Sequence, residues 1–98
     1  MVTAIVLIKT AQGRTQDVAQ TLIDLAGVSE AYSVAGPYDL VAIVRVRHHD
    51  ALADLVTGGI QNIAGIETTN TLIAFRAYSR RDLEAMWDIG NEEGAPAP

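Results

Sequence analysis

The chain of 98 residues has no cysteine, which excludes disulfide frameworks, thiolate metal sites and thiol nucleophiles. Aromatic side chains are scarce, at 5%: Tyr32, Tyr38, Phe75, Tyr78 and Trp87. These are too few for a base-stacking platform of the single-strand-binding kind. Positive charge is in deficit as well. Seven Lys and Arg oppose twelve Asp and Glu, and a net charge of −5 has the wrong sign for a phosphate-tracking surface. No apolar run approaches the roughly 20 residues that span a bilayer. The apolar opening from Val2 to Ile8 has no basic region before it and is closed by Lys9, so it does not read as a signal peptide. The expected location is cytoplasmic.

What the chain does have is apolar content, 49% of all residues, in a length suited to one small domain. The negative charge is unevenly spread. Residues 1–79 hold five basic and seven acidic groups, whereas 80–98 set Arg80 and Arg81 against Asp82, Glu84, Asp88, Glu92 and Glu93. The composition of 92–98 predicts a disordered tail. The body that remains is close to neutral, and such a body meets copies of itself with little electrostatic opposition.

An internal repeat organises the body. Leu25-Ala26-Gly27-Val28 and Ile63-Ala64-Gly65-Ile66 stand 38 residues apart, each after an amphipathic stretch and before a strand-like one. Gly27 and Gly65 fit the position just past a helix end, where positive φ is easiest without a Cβ. The predicted elements are a β-branched strand over Val2 to Lys9 and a helix capped by Gly13 or Thr15 and running to about Ala26. Strands follow over Val28 to Ala35 and Leu40 to Arg47, joined by a turn at Gly36 to Asp39. A second helix, capped by Asp50, carries Leu52, Leu55, Val56, Ile60 and Ile63, and leads to a strand over Ile66 to Arg76. Ser79 to Asp82 resembles a capping box for a last helix, in which Leu83, Met86 and Trp87 form one stripe. The expected division is a domain over 1–79, a C-terminal helix over 80–91 and a tail over 92–98. The order β-α-β-β-α-β is the ferredoxin-like α+β sandwich, here with an added C-terminal helix.

Apolar residues fall on both faces of the predicted strands. Two helices cover only one face of a four-stranded antiparallel sheet, and the second face in water would be a large apolar patch. The expectation is a dimer in which two sheets stack face to face.

With these elements in place, three segments carry a family resemblance: Leu25 to Tyr32, Val34 to Val46 with its Gly36-Pro37-Tyr38-Asp39 turn, and Ile63 to Ile73. Over about residues 2 to 77 the chain resembles the effector-binding (RAM) domain of the Lrp/AsnC transcriptional regulators. That resemblance implies a ferredoxin-like subunit that dimerises through its sheet, with dimers building larger rings. It implies an amino acid or similar metabolite held between subunits, and association with full-length regulators of the family. In those regulators a helix-turn-helix half binds DNA. The present strand pattern begins at Val2, so a stand-alone effector domain without direct nucleic-acid binding is expected.

A free amino acid presents an ammonium and a carboxylate, and its pocket must satisfy both. The turn of Gly36, Pro37, Tyr38 and Asp39 offers backbone N–H groups to the carboxylate and the Asp39 side chain to the ammonium. Thr69 and Thr71, two residues apart on one face of a strand, are the hydroxyl candidates. Hairpin chemistry explains the same turn and strand propensity the same threonines. No metal or cofactor is expected, because His48 and His49 have no third ligand at a metal spacing. Arg45 and Arg47 share a face that could meet an anion, but they better suit a solvated strand end or an intersubunit ion pair. Gly58-Gly59, inside the second helix, reads as a close approach or as a helix break. The rival reading is an enzyme of the small dimeric α+β barrel monooxygenase or isomerase type, with His48, His49 or Asp39 as base.

Overall fold

The computed structural model describes residues 1–80; the expected C-terminal helix and tail lie outside the described residues. Four strands, β1 (Val2–Thr10), β2 (Val28–Ser33), β3 (Leu40–Val46) and β4 (Ile66–Ala74), form one sheet in the order β2-β3-β1-β4. All neighbouring pairs are antiparallel. Helix α1 (Thr15–Ile23) joins β1 to β2, and a helical stretch starting with α2 (His49–Asp54) joins β3 to β4. This is the ferredoxin-like architecture the repeat predicts.

The strand register divides the side chains between two faces. On the covered face, Leu40 and Ile8, Ala42 and Val6, and Val44 and Ala4 stand side by side at the sheet centre, each fully buried. Val18 and Leu22, one turn apart on α1, pack onto them together with Leu52, Val56 and Ile60. Fully burying a side chain such as Ile8, Leu22, Leu40 or Ile60 stabilises by about 1.5–3 kcal/mol each.

The helices depart from their sequence-based outlines. Helix α1 ends at Ile23, not near Ala26, and Gly27 then takes φ +98°. Its first turn has no side-chain cap, because Arg14 occupies the N-cap position and the Thr15 hydroxyl sits 2.7 Å from that of Thr10. Asp17 in that turn complements the helix dipole and pairs with Arg14 at 3.5 Å. The cap of α2 is His48, whose Nδ1 accepts from the Ala51 N–H at 3.4 Å, while Asp50 falls inside the first turn. The second helix is not continuous either. After Asp54 the chain forms a π turn over Leu55–Gly59 and a 3₁₀ turn over Ile60–Asn62. Gly58-Gly59 therefore lies within a change of helical pitch. The sheet is shorter than expected at three ends: β2 stops at Ser33, β3 at Val46 and β4 at Ala74.

Candidate functional site

The turn between β2 and β3 is built around two residues. Gly36 holds φ +132°, in the region that favours glycine, with open space where a Cβ would stand. Asp39 fastens the other end. Its backbone N–H donates to the Ile8 carbonyl at 2.9 Å, and its Oδ2 accepts from the Thr10 N–H at 2.8 Å and from the Thr10 hydroxyl at 3.3 Å. The Thr10 N–H bond, helped by the Lys9 charge and the Thr10 hydroxyl and opposed by desolvation, holds the Asp39 carboxyl below its ordinary range. These bonds use Oδ2 and none of them uses Oδ1. Ala35, Gly36 and Pro37 are exposed at the tip. Tyr38 leans across the end of β1, and its hydroxyl lies 3.5 Å from Asn70 Nδ2 on β4.

The register places the threonines elsewhere. Asn70 stands opposite Leu7 on the open face of the sheet, whereas Thr69 opposite Ile8 and Thr71 opposite Val6 lie on the covered face. Within one chain the structure therefore brings Tyr38 to Asn70 and Asp39 to Thr10, and sets Thr69 and Thr71 on the other side of β4. Thr69 lines a shallow polar groove of about 400 Å³ with Gln61, Ile66, Glu67 and Thr68. Gln61 Nε2 donates to its hydroxyl at 3.4 Å. Thr71 lines a different, apolar groove with Ile73 and residues of α2. Gln61 and Glu67 are not among the sequence candidates. Gln61 reaches Thr69 from the 3₁₀ turn over Ile60–Asn62, and no periodicity signals that turn.

The remaining candidates also find places. His48 serves as the cap of α2, and His49 lines the apolar groove. Arg45 pairs with Glu30 at 3.6 Å on the open face, and the Tyr32 hydroxyl donates to the same carboxylate. That hydrogen bond, together with the Glu30 charge, raises the Tyr32 pKa. Among the described residues no three His, Asp or Glu side chains are grouped to hold a metal, and no helix is long and apolar enough to cross a membrane.

The open face continues the site. Across it run two rows, Tyr32-Val41-Leu7-Asn70 and Glu30-Ile43-Ile5-Leu72, apolar at the centre and polar at one end each. Tyr32 and Leu72 are 50% and 47% exposed in the single chain, enough apolar surface to invite a covering partner. Fold and open face together define a small α+β domain of the ferredoxin-like class whose second sheet face is uncovered among the described residues.

Comparison with known proteins gives that class its family. The Lrp/AsnC ligand binding domain profile matches residues 3–83, and the chain belongs to that family. Its similarity to the HTH-type transcriptional regulator FL11 of Pyrococcus abyssi is 31% identity over 75 residues, 76% of this chain and 49% of the relative. The chain thus matches about half the length of this curated relative. Among solved structures it resembles TTHA0845 from Thermus thermophilus, with 50% identity and a TM-score of 0.77 over 82% of this chain and all of the other. It also resembles the feast or famine regulatory protein of M. tuberculosis complexed with L-methionine. There the identity is 33% and the TM-score 0.67, over 83% of this chain and 55% of that one.

Proposed function

We propose that this domain is a non-enzymatic sensor that binds an amino acid or closely related metabolite at a subunit interface, and that ligand occupancy modulates transcription through assembly with regulators of its family. The observation that carries this reading is the Gly36 to Asp39 turn, an exposed loop with its carboxylate held ionised and aimed by Thr10. Oδ1 of Asp39 is the acceptor for a ligand ammonium; Pro37 has no N–H and that of Asp39 is given to Ile8, so the backbone N–H groups of Gly36 and Tyr38 are the donors for a carboxylate. The L-methionine complex of the mycobacterial relative supports an amino acid as the ligand class.

Neither the turn nor the Thr69 groove encloses a ligand alone. The two lie on different sides of β4, so the pocket is completed when a second subunit brings its own groups against the turn. The open sheet face is the surface for the first pairing, with Ile5, Leu7, Val41, Ile43 and Leu72 removed from water. Thr69, beside Gln61 and Glu67, is a ligand contact in this reading. Thr71 is the weaker assignment, because its groove is apolar.

Calorimetry across the standard amino acids and their keto acids tests the reading. Binding is expected for a small subset, and Asp39→Asn is expected to weaken it at least about tenfold by removing a charge-assisted hydrogen bond. No heat from any of these compounds at millimolar concentration overturns the sensor assignment.

A further inference from the structure

The covered face of the sheet is itself incomplete. Its third row runs Val28, Val44, Ala4 and Ile73, yet Ala4 is fully buried while Ile73 is 46% exposed. Neither α1 nor the broken second helix reaches over the C-terminal half of β4. A groove of about 310 Å³ is left there, walled by Leu52, Ala53 and Val56 on one side and Thr71 and Ile73 on the other, and its lining is dominated by apolar surface.

Three observations point to the occupant. The first is where the described chain runs out. Ile73 is part of the wall and Leu83 follows only ten residues later, a stretch whose extended reach of about 33–36 Å exceeds the roughly 10 Å width of a helix several times over. The second is pattern: Leu83, Met86 and Trp87 recur at i, i+3 and i+4, which gathers them on one side of a helical turn. The third is charge. Residues 81–98 set one arginine against five carboxylates, while Arg47 and Arg76 follow the C-terminal ends of β3 and β4, which lie at the same end of the sheet. Past its first three residues the segment is also an addition to the shared domain. The family profile stops at residue 83, and the whole Thermus chain is matched by 82% of this one.

We propose that the segment 81–91 docks into the groove of its own chain, with Leu83, Met86 and Trp87 covering Val56 and Ile73. Tethering favours the chain's own segment, because a short linker sets a millimolar effective concentration. The α2–β4 side of the subunit is then closed to other partners, and assembly is directed to the open sheet face and the Gly36 to Asp39 end.

Trp87 is the only tryptophan, so its fluorescence in the full-length protein reports on the segment directly. The expected result is emission blue-shifted from that of the urea-denatured chain, weak quenching by acrylamide, and no change on dilution. Ala53→Glu and Ile73→Glu, both at exposed positions on opposite walls, are each expected to shift the emission to the red while far-UV circular dichroism stays native. Quenching in the unaltered chain keeps the test independent of either variant. Denatured-like emission from the native protein overturns the proposal, as does a blue-shifted signal that neither variant moves. Loss of the blue shift on dilution overturns it too, by placing Trp87 against another copy.

Discussion

Gly27 and Gly65 hold the same place in the two halves of the chain, and both adopt φ +98°. Each carbonyl accepts a backbone N–H near the C-terminal end of a central strand, from Arg45 at 2.8 Å for Gly27 and from Ala11 at 2.7 Å for Gly65. Between helix and glycine the halves then diverge. Helix α1 is regular, whereas its counterpart passes through α, π and 3₁₀ turns before reaching its glycine. The outer strands differ too. Both pair through a register shift near their start, but β2 has six residues and an ion-paired Glu30 in its middle, whereas β4 has nine, with Glu67 at the shift and no charge from Thr68 to Ala74. One repeat thus yields a short edge with its charge in mid-strand and a long one with its charge only at the start. The irregular helix lies beside the long edge, and residues of both line the two grooves on that side. A duplicated fold has kept the turn that both halves need and varied the elements that line its surfaces.

The strongest way to break the comparison is to substitute the matched glycines. A Cβ at Gly65 meets Arg14 Cβ and Val18 Cγ2, both at 3.0 Å, and Val18 is fully buried and β-branched. A Cβ at Gly27 meets Leu55 Cδ2 at 2.9 Å, the far end of a side chain able to swing aside, and Val46 Cγ1 at 3.1 Å. Both variants carry left-handed strain, and Gly65→Ala adds the stiffer overpacking. The expected losses in urea denaturation are about 3 kcal/mol for Gly65→Ala and about 2 kcal/mol for Gly27→Ala. Equal or reversed losses break the argument from neighbouring atoms.

The Asp39 tether, which ties the loop after β2 to the end of β1, is read by its pH dependence. Its folded-state pKa lies below the unfolded one, so the unfolded chain binds the proton more readily. The stability it confers is present above the ordinary carboxylate pKa and is lost as pH falls through the folded-state value. Asp39→Asn is expected to flatten the acid limb of the stability profile. An unchanged acid limb dissociates the carboxylate from the tether.

The smallest expected effect sharpens the contrast between the helices. Gly58 has a negative-φ helical neighbourhood and open space where a Cβ would stand, so Gly58→Ala is expected to stabilise by about 0.5–1 kcal/mol. Thermal and urea unfolding measure it. A loss instead of a gain means that the π turn itself depends on glycine backbone freedom.

Much of the fold is legible residue by residue. Val18 and Leu22 announce α1, the β-branched run from Val2 announces β1, and Gly27 and Gly65 mark the two helix exits. The family pattern at Gly36 to Asp39 is legible as well, because its turn chemistry is local. The site's surroundings are not. Thr69 and Thr71 look equivalent in sequence, yet their positions along β4 place one in a polar groove with Gln61 and the other in an apolar groove with Val56. Asp50 has the better capping chemistry, but the chain direction set by β3 puts His48 at the cap.

By itself, then, the sequence determined what depends on local spacing and on covalent stereochemistry: the order of elements, the glycine stops and the apolar periodicity of strands and helices. The tertiary structure decided what depends on contacts between distant segments. It assigned Asp39 Oδ2 to Thr10, 29 positions away, and brought Tyr38 to Asn70, 32 away. It also left one sheet face and the two grooves beside β4 uncovered among the described residues, since the two helices pack over the sheet centre.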